Sequence, residues 1–159
     1  MLRGILLLSA ALIALAVVPA AIADKPVQVS EDVPFPDCGF PVLAHFEGGE
    51  INRTTSFGKA GGVRLFGAFP GQTSTWTNLD SGKSITLSDA GSFQLRLEPD
   101  GSGTAVFTGH GPMPDFIVGK PGIWYLDGGQ VTATGDAQGN VTSVVVRGRL
   151  VDLCGQLAS

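Results

Sequence analysis

A chain of 159 residues with 43% hydrophobic residues has room for a single domain with its own core. Its net charge of −4 and the absence of any basic run exclude the usual nucleic-acid binder. With 23 glycines, 10 prolines and only 15% charged residues, the composition is that of a turn-rich fold rather than a disordered or coiled one.

The first segment is a leader. Met1-Leu2-Arg3 supplies a positive start, Ile5 to Val18 is apolar or small throughout, and Ala21-Ile22-Ala23 places small residues before Asp24. This reads as a secretory signal peptide over residues 1–23, cleaved between Ala23 and Asp24. Loss of Arg3 makes the mature chain more acidic still. No second apolar stretch reaches membrane-spanning length, so no membrane span is expected after cleavage. The location implied is secreted, extracellular or in the cell envelope.

Residues 24–37 carry prolines and charges (Pro26, Pro34 and Pro36 beside Lys25, Glu31 and Asp32) and are expected to form an extended lead-in rather than a core strand. A single β domain is expected over 38–159. Phe40 to Phe46 reads as its first strand, with Glu47-Gly48-Gly49-Glu50 as a turn. Strands Ile51–Phe57 and Val63–Phe69 follow, separated by Gly61-Gly62. Trp76 to Leu87 is the clearest hairpin: two runs rich in β-branched and apolar residues flank Asp80-Ser81-Gly82.

Phe93, Leu95 and Leu97 then alternate with Gln94, Arg96 and Glu98, a half-buried strand. Pro99 to Gly103 turns the chain into the strand Thr104–Thr108. Gly109 to Pro114 reads as a break. Ile123–Leu126 is expected as a short strand, turned back at Asp127-Gly128-Gly129 into Val131–Thr134. Val141 to Leu153 is the longest strand, with Gly148 marking a bulge or bend. No segment has a helical period. Short strands between regular turn signals imply an all-β fold, an antiparallel sandwich or a closed β-barrel of roughly eight to ten strands. A barrel would enclose a dry pocket lined by Phe93, Leu95, Val106 and Ile123.

Cys38 and Cys154 are the only cysteines, and in an exported chain two cysteines most simply pair with each other. They lack the C-x-x-C spacing of a redox pair. No G-x-S-x-G elbow occurs, and no catalytic residue is assigned. No cofactor is implied. His45, Glu47 and Glu50 are the one grouping a metal could use, yet acidic turn residues are ordinarily solvated, so no metal site is assigned. The ligand-contacting residues expected are His110, flanked by glycines in its loop, together with Trp124 and Tyr125, whose side chains alternate across a strand.

Cys38-Gly39-Phe40, the Thr77–Ser84 hairpin, Pro99 to Gly103, Gly109-His110-Gly111 and the terminal Asp152-Leu153-Cys154 carry a resemblance over nearly all the mature chain. By these turns and cysteines it resembles the small exported β-rich proteins of unknown function common in actinobacteria. The resemblance implies an extracellular, disulfide-stapled β domain and carries over no functional residue. The function expected is that of a non-catalytic domain binding a ligand or partner, either a small molecule or an envelope component. A structural component of the cell envelope and a small secreted hydrolase using His110 as base are the alternatives.

Overall fold

The computed structural model describes residues 25–36 and 38–158; the expected leader and its cleavage site lie outside the described residues. The strands are β1 (Val27–Phe35), β2 (Val42–Phe57), β3 (Gly62–Ala68), β4 (Thr73–Asn78), β5 (Ser84–Ser88), β6 (Gly91–Leu97), β7 (Gly103–Met113), β8 (Trp124–Gly135) and β9 (Val141–Asp152). Two short helices complete the set, α1 (Asp115–Val118) and α2 (Leu153–Ala158). Among the described residues no helix is long and apolar enough to cross a membrane.

The strands form one nine-stranded antiparallel sheet, ordered β5-β4-β2-β3-β6-β7-β8-β9, with β1 also on β2. It does not close, which corrects the barrel expectation and removes the enclosed pocket. The physical reason lies in β2. Its first half pairs with both β1 and β4, and its second half pairs with β3. One strand therefore serves two arms, β1-β2-β4-β5 and β2-β3-β6-β7-β8-β9, and the ladder ends at β5 and β9 without joining. The four residues expected around a barrel pocket also part company: strand register puts Val106 on the face opposite Phe93 and Leu95.

The pairing bears on four local readings. Residues 27–35 of the extended lead-in pair with β2 as an edge strand, where Pro34 is tolerated because one side of the ladder is open. Glu47 to Glu50 is not a turn: β2 runs through it and bends at Gly48, whose φ of +136° suits glycine alone. Asp127 to Gly129 is a β-bulge inside β8. This strand places two residues, Asp127 and Gly128, between Leu126 and Gly129, where β9 places only Arg149 between Leu150 and Gly148. The backbones close up there, since a Cβ on Gly129 would come within 2.1 Å of the Arg147 carbonyl oxygen. The break expected at Gly109 to Pro114 is likewise mostly strand, the second half of β7.

Two cores result. In the first, Val42, Ala44 and Trp76 of the short arm pack on Ile123 and Tyr125 at the start of β8 and on Leu153 and Leu157 of α2. In the second, Met113, Ile117, Leu126, Val131 and Ala133 pack together where α1 covers one face of the long arm. The Cys38–Cys154 disulfide forms, with Cα atoms 5.1 Å apart, and ties the chain ahead of β2 to α2. The short arm thus covers one end of the long arm's other face, and the rest of that face stays open.

Candidate functional site

Ligand-contacting residues were expected at His110, Trp124 and Tyr125, and the structure separates them. The β8 alternation puts Trp124 on the α1 side, its ring under the Lys120 ammonium at 4.9 Å. Tyr125 turns the other way into the first core, only 3% exposed, and its hydroxyl donates to the Ser88 carbonyl. Burial, then the charges of Asp89 and Asp127, raise the Tyr125 phenol well above its ordinary value, so it stays protonated. His110 stands on the same face as Tyr125, at the corner where the short arm ends. The β8 bulge aims Asp127 at it, with Nδ1 3.6 Å from the carboxylate, and Arg149 Nη1 lies 3.6 Å from the other oxygen of Asp127.

Asp89 completes the corner, and sequence reasoning missed it. It follows β5, its backbone N–H bonds the Gln72 carbonyl at 2.8 Å, and it is 2% exposed. Neither carboxylate oxygen has a hydrogen-bond partner. Burial pushes its pKa up from 3.8 to about 6, while the Ser74 hydroxyl, outside hydrogen-bonding geometry, and the His110 charge pull it partly back. No local signal marks a loop aspartate as buried, because only the meeting of the two arms encloses it.

This carboxyl gives a pH prediction. An unfolded aspartate releases its proton near pH 3.8, whereas native Asp89 holds it to about 6. Stability present below pH 3.8 is therefore lost as pH rises through that window, by about 2–3 kcal/mol. Asp89→Asn, neutral throughout, removes the slope, so urea midpoints for variant and parent should match near pH 3.5 and separate in the variant's favour by pH 7. Parallel pH profiles would sink the assignment.

From this corner the open face runs across the long arm. Strand register lines up Thr55, Arg64, Arg96, Thr104, Thr134 and Ser143 in one row. The next rows hold Arg53, Phe66, Gln94, Val106, Thr132 and Val145, then Ala68, Ser92, Thr108, Gln130 and Arg147. Arg149, two residues beyond Arg147, shares the face. Every arginine of the described residues is here, and all are exposed. The signal was in the sequence, since Arg64 and Arg96 each sit between apolar strand residues and must point away from them. Beside Arg96 a groove of about 300 Å³ is lined by Glu98, Ser102, Thr104 and Thr134.

Chemically, the corner offers a histidine between two carboxylates and a guanidinium. The His110 imidazole faces Asp127, and its backbone N–H donates to the Ala90 carbonyl at 3.2 Å. His45 is held by Asp32 at 2.8 Å and faces Glu47 at 3.9 Å, while Glu50 bonds Asn52 instead. Among the described residues no group of three or more His, Cys, Asp or Glu is placed to hold a metal. Comparison with family models, with curated proteins and with solved structures finds no match.

Proposed function

We propose that this chain is an exported, non-catalytic binding domain that takes an anionic ligand on the open polar face of its long arm. One observation carries the reading: a chain of net charge −4 gathers every arginine of its described residues on a single exposed face. Scattered charge would serve solubility equally well. Glu98 and Asp127 share the face and pair with Arg96 and Arg149, so the five arginines leave it net positive, a local field that attracts anions despite the overall charge. His110 lies at the corner of this surface and contacts the ligand. Tyr125 supports that corner from the core, and Trp124 braces the opposite face.

The test is retention on a sulfonate matrix at pH 7 and low salt, where the net charge alone would send the protein through. We expect it to bind and to elute as ionic strength passes about 0.15 M, where charges beyond about 8 Å are screened. The triple variant Arg64→Gln/Arg96→Gln/Arg147→Gln should flow through, and Lys120→Gln, on the other face, should behave as the parent. If the parent protein flows through at low salt, the reading is wrong.

A further inference from the structure

We infer that the ligand is a linear acidic polysaccharide held at two arginine subsites, Arg64 with Arg96 on Phe57, and Arg147 with Arg149 beside the β8 bulge. The inference rests on the open-face reading above and adds the ligand's chemistry and its length. At the first subsite, Arg64 and Arg96 stand directly opposite each other on β3 and β6. Like charges so placed destabilise a sheet unless something holds them. Phe57 does so, with the guanidinium carbons 5.0 and 4.4 Å from its ring centroid.

The ring lies flat across the sheet because residue 62 is glycine: a Cβ there would come within 2.5 Å of a ring carbon. Glu98 takes the Arg96 Nε at 2.6 Å, and Arg64 has no ion pair among the described residues. Both side chains are exposed on one face, and the Glu98 contact engages Nε of Arg96 rather than its terminal nitrogens. That is the geometry in which arginine takes a carboxylate or sulfate through paired hydrogen bonds. The groove lined by Ser102, Thr104 and Thr134 adjoins it and offers hydroxyls.

At the second subsite, Arg147 stands opposite Gln130 without an ion pair among the described residues, and Arg149 leans on Asp127 beside His110. From β6 to β9 the sheet crosses three strand spacings, and Arg147 lies four residues along from Ser143, which shares the Arg96 row. The subsites are thus about 20 Å apart. No small anion reaches both, whereas a polymer does.

The residues between are neutral: Thr104, Val106, Thr132 and Thr134. Duplex nucleic acid carries a charge about every 1.7 Å and would leave most of its phosphates without a partner here. A polysaccharide with an acid on only some sugars presents hydroxyls to the threonines and its sparse charges to the arginines. Engaging both subsites with one chain makes the second contact intramolecular.

The experiment is calorimetric titration of the full mature protein with size-fractionated oligogalacturonates and hyaluronan fragments, neutral oligosaccharides of equal length, and a 20-base-pair DNA duplex. Affinity for at least one acidic series should rise by about a hundredfold or more once the fragment outgrows about 20 Å. Arg64→Gln/Arg96→Gln, and separately Arg147→Gln/Arg149→Gln, should abolish that rise while leaving urea midpoints unchanged. Binding to the sulfonate matrix with no length dependence in any acidic series would overturn the polysaccharide and leave the anion-binding face standing. Tighter binding to the duplex would overturn it in favour of nucleic acid. Failure on both the matrix and every oligomer would sink both readings.

Discussion

Replacing Cys38 and Cys154 together by serine should lower the free energy of unfolding by about 4–5 kcal/mol, as measured by urea denaturation at pH 7. The two cysteines are 116 residues apart in sequence, so the bond closes almost the whole described chain into one loop. In the chain-entropy account a loop of that size removes much of the disorder available to the unfolded state. A second effect adds to it in the native state. Cys154 belongs to α2, a six-residue helix too short to persist alone.

That helix carries Leu153 and Leu157, both 1% exposed or less, into the core with Trp76. Its other ties include the Leu153 N–H to the Ile123 carbonyl at 3.0 Å, the Asn78 amide to the Leu157 carbonyl at 3.2 Å and the Lys83 ammonium to the Gln156 carbonyl at 2.5 Å, all of them polar contacts rather than apolar packing. Cutting the disulfide should therefore loosen α2 first. Hydrogen exchange at Leu157 should quicken more than at Val131, which lies in the second core. Reduction by dithiothreitol should reproduce both results. A change in unfolding free energy below about 1 kcal/mol would mean that α2 docks without the bond.

How much of this fold the sequence displays depends on whether a signal is local. The Trp76 to Leu87 hairpin is legible because its turn and both arms lie within a dozen residues, and β4 and β5 pair as expected. The alternation from Phe93 to Leu97 is legible for the same reason. Glycine-rich segments are ambiguous, because glycine permits a turn and a bulge alike. Asp127-Gly128-Gly129 becomes a bulge only because β7 and β9 both continue past it. Glu47 to Glu50 stays in strand only because β1 lies along it.

The candidate surface is less legible still. His110 could be picked out from its flanking glycines, but Asp89 and the arginine rows depend on which strands become neighbours. Each arginine's parity is visible in its own strand. That Arg64 faces Arg96, or that Gln130 faces Arg147, follows from register alone. The opening between the two arms, which encloses Asp89, is set by β2 changing partners midway.

Trp76→Ala should cost about 3–5 kcal/mol, the range for truncating a fully buried aromatic side chain. The indole is 0% exposed and is gripped by Phe35 and Phe46, with ring centroids 5.0 and 5.8 Å away. Phe35 belongs to β1 and Phe46 to β2, both on the same side of β4 in the ladder, so the cavity cannot collapse without moving β1 or β2. Trp76 also reaches the polar corner. Its Nε1 donates to the Ser74 hydroxyl at 2.7 Å, and Ser74 in turn favours ionised Asp89. Trp76→Phe keeps most of the packing but leaves the buried Ser74 oxygen without its donor, which should cost about 1–3 kcal/mol. In Trp76→Phe/Ser74→Ala that orphan is gone, so the two losses should fall short of adding by 0.5 kcal/mol or more. Strict additivity would show that the indole N–H contributes nothing through Ser74, and that the corner around Asp89 is independent of the core beside it.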